Sequence, residues 1–385
     1  MGALGAPLSA RAQARANEPQ GPAAATGAAA PASAAGAPAG PEPGERVPPR
    51  RYGSGSVTIA LLLPRQDGPF ARAASSLLAG VLAAHAADGA GTVVEAIEID
   101  DQADELALVM AELNDRRVDL VLGPITRNGA TALLESGAAG LPTLALNLPD
   151  GNQPAPARLS FFGLAIEVEA RQVASLAFEE AVARTGGARA PRAVSIAVAS
   201  PLARRAQQAF DEAWTALGGE KRPGFEFSGP RPPRDLRARL GSPAPDVAFL
   251  SMNAEQARVL RVGFAADTAV WSTSLASVGS TSRLSLPELD GLRLVEMPWQ
   301  LEPDSPAVMS YPKPPSSFNV EMHRLYALGI DAFRIGRHLL AGDTVFELDG
   351  VTGRLRFDRV ASPRVERIAL PAEYRNGMPR RLGAP

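Results

Sequence analysis

Three histidines, His85, His323 and His338, are the whole imidazole supply of this 385-residue chain, and it contains no cysteine. Disulfides, thiolate metal sites, a cysteine nucleophile and a lipid-acceptor cysteine are therefore excluded together. No histidine has a partner at metal-ligand or triad spacing. His323 and His338 fall on one predicted helix, but fifteen residues separate them by roughly 22 Å, too far to share an ion. No serine elbow, no phosphate-cradling glycine loop ending in Lys-Ser or Lys-Thr, and no dinucleotide fingerprint occurs. Asp100-Asp101, at the end of a predicted strand, could imitate the acid that grips a ribose, but without the glycines the pair reads better as a cap for the following helix. These residue types predict a chain with no catalytic group, metal or cofactor.

What remains is hydrogen bonding. In open parallel sheets ligands approach the carboxyl ends of the strands, where loops and helix N-termini supply free backbone N–H groups. Those ends carry Arg65, Gln66, Thr126, Asn128 and Asn147 in a first lobe, and Ser200, Asn253 and Thr273 in a second. Most are polar and uncharged, which suits a small neutral or zwitterionic ligand; the same residue types are also ordinary turn and capping residues. A second candidate surface is the stretch 297–301 with 303–318, which carries Trp299, Met309 and Tyr311 in a loop whose prolines argue against any helix or central strand. Such side chains bury much area at little entropic cost and suit a docking partner. In the alternative, Trp299 packs at an interlobe hinge and Tyr311 pins the loop to its own lobe.

These residues need a scaffold, and the hydrophobic pattern supplies one. Strands at 57–63, 93–99, 119–122 and 143–146 alternate with helical patterns at 69–87, 104–116 and 129–136. After a long helix at 167–184, strands at 193–199, 224–227, 246–251 and 269–272 alternate with helices at 202–217, 234–240 and 254–262. A strand at 291–296, a long helix at 318–340 and a strand pair at 346–349 and 353–357 follow. The expected class is α/β, two doubly wound Rossmann-like lobes with an interlobe cleft. Lobe one would hold 57–160 and 301–355, lobe two 161–300 and 356–378, with crossings near 161–166, 291–300 and 355–358.

Two-thirds of the first fifty residues are Ala, Gly or Pro and none is aromatic, so 1–54 is expected to be a disordered arm. Within it Ala12-Gln13-Ala14 has the small-x-small form of a signal-peptidase site; it is either plain low-complexity sequence or the remnant of an export signal whose beginning was lost to a misplaced start codon. No apolar run reaches eighteen residues, so no membrane span is expected. Lys and Arg total 39 against 41 Asp and Glu, a formal charge of −2 that gives no field for nucleic acid.

Several stretches together resemble a known family. Residues 59–64 (IALLLP), 119–124 (DLVLGP), 142–147 (PTLALN) and 326–333 (YALGIDAF) resemble the type I periplasmic binding-protein fold. Residues 162–171 (FGLAIEVEAR), 208–219, 296–299 (EMPW) and 348–355 (LDGVTGRL) are most similar to the LppC/LpoA family, the penicillin-binding protein activators of Gram-negative bacteria. The resemblance implies a non-catalytic periplasmic protein that contacts a bifunctional peptidoglycan synthase and stimulates its transpeptidase. The family's best-known members are lipoproteins with a helical-repeat domain ahead of this region; without a cysteine, no lipid anchor is expected here. The alternative is a solute receptor of an ABC transporter for amino acids or similar ligands. Amino-acid receptors of this fold resemble one another in a Ser/Thr cluster after the third strand and an Ala-Thr pair after the fourth; here Ile125-Thr126-Arg127 keeps one hydroxyl and Asn147-Leu148-Pro149 keeps none.

Overall fold

The computed structural model describes residues 47–383 apart from 101, 138, 152, 266 and 280–284. The arm expected over 1–54 is corrected at its end, and its residues 1–46, including Ala12-Gln13-Ala14, lie outside the described residues. Strand β1 (Arg50–Gly53) pairs antiparallel with β3 (Gly91–Ile99), Tyr52 opposite Val94. Tyr52 packs against the first core.

The first sheet has the order β1-β3-β2-β4-β5-β6 and is parallel except for β1, with β2 at Gly55–Pro64, β4 at Leu120–Leu122, β5 at Thr143–Ala145 and β6 at Leu159–Phe161. Helices α1 (Ala71–Asp88), α2 (Ala103–Asp115) and α3 (Arg127–Ser136) connect its strands. Side chains alternate along β2: Ile59, Leu61 and Leu63 enter the core under α1, while Ala60 and Leu62 enter the core under α2 and α3. The cap expected from Asp100-Asp101 is not seen. Gln102 occupies the N-cap of α2 without a side-chain cap bond, and Asp104 and Glu105 supply negative charge to the first turn instead. Asp101 is outside the described residues.

After α4 (Ile166–Thr185) the chain builds a second sheet from β7 (Arg192–Ala197), β8 (Glu220–Lys221), β9 (Phe225–Glu226), β10 (Val247–Ser251), β11 (Ala269–Ser272) and β12 (Leu292–Glu296). Helices α5 (Pro201–Ala216), α6 (Leu236–Leu240) and α7 (Ala254–Arg261) lie between these strands. The same alternation separates its two cores. Ala248 and Leu250 face α6 and α7, whereas Val247 and Phe249 face α4 and α5, where Phe249 stacks on Phe210 at 4.2 Å.

The stretch expected to exclude helix holds two one-turn helices, α8 (Pro298–Leu301) and α9 (Pro306–Met309). Each begins with its proline, the one helical position where a missing N–H costs nothing. Helix α10 (Val320–Ala341) then returns to the first core and crosses α1 closely. A Cβ on Gly80 would sit 2.0 Å from the Tyr326 carbonyl oxygen, and one on Gly329 would sit 2.3 Å from that of Leu77. A three-stranded antiparallel sheet follows, β13 (Val345–Asp349), β14 (Arg354–Asp358) and β15 (Glu366–Ile368). Phe346, Leu355, Phe357 and Val365 of this region join the first core. The last passage to the second sheet, expected near 355–358, therefore comes between β15 and β16 (Leu370–Arg375), which pairs antiparallel with β12 and with β17 (Met378–Arg381). No helix among the described residues is long and apolar enough to cross a membrane.

Candidate functional site: the interlobe cleft and the proline-rich pocket

Most of the polar residues singled out at strand ends are engaged in holding their own loops. Thr126 accepts from the Gly129 N–H at 3.1 Å and Ser200 from the Ala203 N–H at 3.1 Å, as N-caps of α3 and α5. Asn253 forms a reciprocal capping box with Gln256 at α7, and buried Thr273 accepts from the Leu275 N–H. Arg65 pairs with Asp67 on the surface, and the Gln66 side chain accepts from the Ser75 hydroxyl. Asn128 is exposed in the first turn of α3. Of the eight, Asn147 alone is among the lining residues of the cavity between the sheets, a space of about 250 Å³. Its amide donates to the Ile125 carbonyl and its oxygen accepts from the Leu148 N–H.

The charges in that cleft come from residues that strand-end reasoning missed. Arg324, on α10 and 5% exposed, donates from Nη2 to the Ser274 carbonyl at 2.8 Å and to Glu296 Oε2 at 2.7 Å, and from Nη1 to Glu321. Burial pulls its pKa down, but the carboxylates of Glu296 and Glu321 outweigh burial and the net shift is upward. The Ser274 N–H donates to Glu169 Oε2 at 3.0 Å, and Glu169 Oε1 accepts from Arg367 at 2.7 Å. Arg367 donates to the Thr352 carbonyl at 3.1 Å, while the Thr352 N–H and hydroxyl donate to Asp331, again on α10. A ring of contacts thus leaves α10 at Arg324, passes through the second lobe at Ser274 and Glu169, and returns to α10 at Asp331. Apolar side chains, among them Leu164, Leu202, Leu275 and Leu328, complete the cavity wall. Among the described residues no group of three His, Asp or Glu is arranged to hold a metal ion.

The three residues expected in a docking loop do converge. Trp299, Met309 and Tyr311 line one pocket of about 700 Å³ together with Phe318 and His323. Trp299 forms its buried part: its backbone N–H donates to the Val351 carbonyl at 2.9 Å, its indole N–H to His323 Nδ1 at 3.3 Å, and its ring lies 5.3 Å from that of Tyr326. Burial pushes the Tyr326 hydroxyl up to about 12, so it stays a donor, to the Pro312 carbonyl at 2.7 Å. Burial also lowers the pKa of His323, which keeps its ring neutral. Met309 is 68% exposed at the rim and Tyr311 is half-buried.

Two doubly wound lobes facing each other across a cleft define the architecture of the type I periplasmic binding proteins. Within that class the family model described as "LppC putative lipoprotein" matches residues 54–228 and 246–377, and the chain belongs to this LppC family. It is 26% identical over 302 residues to the penicillin-binding protein activator LpoA of Enterobacter sp. (strain 638), covering 66% of this chain and 40% of that one. It is 27% identical over 350 residues to LpoA of Vibrio cholerae, covering 78% of this chain and 54% of that one. The chain thus spans about half the length of these relatives or less. The LpoA C-domain from Haemophilus influenzae, described as a regulator of PBP1A, superposes with a TM-score of 0.68 at 19% identity, over 84% of this chain and 99% of that one. A Chromobacterium violaceum structure described as a "putative branched-chain amino acid ABC transporter" superposes with a TM-score of 0.67 at 30% identity, over 83% of this chain and 100% of that one.

Proposed function

We propose that this chain is a non-catalytic periplasmic regulator of peptidoglycan synthesis that binds a bifunctional penicillin-binding protein and stimulates its transpeptidase. Membership of the LppC family supports this reading, as do the relatives named penicillin-binding protein activators. The observation that carries it is the bridging of the cleft by the protein's own polar groups beside a space of only about 250 Å³. A receptor of this architecture closes on its solute, because the solute binds the closed state better than the open one. Here Arg324, Ser274 and Glu169 bridge the lobes by hydrogen bonds to one another. The decisive experiment adds the purified chain to a purified bifunctional synthase with its lipid-linked substrate. Co-purification and a raised crosslinked fraction are the expected result; no complex and unchanged crosslinking would sink the reading.

The solute-receptor reading has one observation in its favour, the 30% identity to the Chromobacterium structure described as a transporter. A ligand that binds only the folded state raises the melting temperature, and above its Kd the rise grows with the logarithm of its concentration. A panel of amino acids and small peptides is expected to give no concentration-dependent rise. A clear rise with one of them, abolished by Asn147→Ala or Thr126→Ala, would make the receptor reading the better one.

A further inference from the structure

The segment 222–241, between β8 and β10, carries five arginines against two carboxylates, Glu226 and Asp235, in a chain whose total charge is −2. It is built onto the second core. Phe227, Leu236 and Leu240 are buried there, the Phe227 N–H donates to the Ala197 carbonyl at 2.7 Å, and the Leu236 N–H donates to the Pro233 carbonyl at 3.0 Å. Pro230, Pro232 and Pro233 restrict the backbone on both sides of Arg231 and before Arg234, so ordering this loop against a partner costs little entropy.

The two acids are used up locally. Arg239 Nε donates to both oxygens of Asp235 at 2.9 Å, and its guanidinium lies 5.3 Å from the centre of the Phe225 ring. Glu226 pairs with Arg204 at 3.3 Å. Arg231, Arg234 and Arg237 are exposed, and their side chains have no ion pair or hydrogen bond among the described residues. Three like charges within seven residues therefore stand uncompensated. Arg222 adjoins them at the end of α6, since a Cβ on Gly241 would lie 3.1 Å from its Nη1. Arg72, Arg171 and Arg380 are also exposed and unpaired among the described residues, but they stand singly on α1, α4 and β17.

The anion that fits is short and carries carboxylates. Guanidinium forks match carboxylates in geometry as well as charge, as Arg239 and Asp235 show within the same segment. Everything outside this patch is acidic in sum, so a long polyanion such as nucleic acid would meet repulsion beyond it. A membrane contact of this kind combines basic charge with apolar side chains that enter the headgroups. Between Leu217 and Val262 no large apolar side chain is exposed. We infer that Arg231, Arg234 and Arg237 dock a short acidic segment, rich in Asp and Glu, of the partner synthase. The inference deepens the partner reading and rests on it for the source of the segment.

The test uses the purified chain and a purified bifunctional synthase. A patch variant with Arg231→Glu, Arg234→Glu and Arg237→Glu should capture the synthase at least about tenfold less well, with a melting temperature nearly unchanged because all three side chains are exposed. A scattered variant with Arg72→Glu, Arg171→Glu and Arg380→Glu, which alters the net charge equally, should capture it as the parent does. Dye-labelled, blocked hexaglutamate should bind the parent saturably and compete with the synthase, and blocked hexalysine should do neither. If the patch variant captures the synthase as well as the parent, or both variants lose it alike, the inference is wrong and the partner reading stands. If hexaglutamate binds the parent and not the patch variant while the parent captures no synthase, the acid-binding chemistry is upheld and its assignment to that partner is overturned. Vesicles of phosphatidylglycerol and phosphatidylcholine that retain the parent and release the patch variant, with hexaglutamate unbound, would make the patch a membrane contact and overturn the inference.

Discussion

Arg324 and Glu296 form an ion pair at 2.7 Å with side chains only 6% and 0% exposed, one on α10 against the first sheet and the other at the last residue of β12 in the second. Glu296 also accepts from the Met297 N–H at 2.9 Å, so its charge is held from two directions. A buried charge whose partner is removed keeps its desolvation cost and loses its compensation, and such a loss amounts to about 3–5 kcal/mol.

Arg324→Met should therefore lower unfolding stability by about 3–5 kcal/mol, and combining it with Glu296→Gln should recover part of that loss. Urea unfolding of the two single variants and the double variant decides the matter. Strictly additive losses would mean that the pair does not act as a unit.

The α1–α10 crossing gives a second expectation. Gly329→Ala places a methyl group 2.3 Å from the Leu77 carbonyl oxygen, so the helices must separate, at a cost of about 1–3 kcal/mol or more. Gly80→Ala strains the same crossing, and the two together should cost less than their sum once the helices have moved apart. A melting temperature unchanged by Gly329→Ala would contradict the close approach.

Thr352→Val removes the hydroxyl that donates to Asp331 at 2.7 Å while keeping the side-chain shape. Burial raises the pKa of Asp331, and leaving a buried acceptor without one of its donors costs about 1–3 kcal/mol, which is the expected loss. Hydrogen exchange should show weakened protection at the Val351 and Thr352 amides, both of which donate to the same carboxylate.

Acid should expose the burial of His323. Its folded pKa lies below the ordinary 6.5, so as pH falls past 6.5 the unfolded chain takes up a proton that the folded chain refuses. This contribution to stability is complete above 6.5 and is lost as pH drops toward the folded value. His323→Gln lacks the titration, so its stability difference from the parent should shift in the variant's favour on acidification. A difference that stays constant from neutral pH to below 6.5 would count against a buried neutral ring.

Much of the scaffold is legible in the residues themselves. The alternation along 59–63 assigns one face of β2 to each core, because successive strand side chains must point to opposite sides. Thr126, Ser200 and Asn253 sit where helices start, and a short polar side chain at such a point caps its own helix. Local chemistry of this kind is readable because its partners are three residues away.

The stretches FGLAIEVEAR, EMPW, YALGIDAF and LDGVTGRL carry the family resemblance, and each contains a member of the buried network: Glu169, Glu296, Asp331 and Thr352. Nothing local marks these four as partners. Arg324 and Ser274 are 50 positions apart, Ser274 and Glu169 are 105, and Arg367 and Glu169 are 198. The β15 and β16 strands were equally illegible, since β16 pairs antiparallel with β12, far upstream in the chain. The sequence by itself determined the two α/β lobes and the family, because hydrophobic period and turn chemistry are local. Tertiary structure alone decided which charges meet in the cleft and which aromatic groups share a pocket. A buried ion pair is stable only once the surrounding apolar core has excluded water and brought distant segments together.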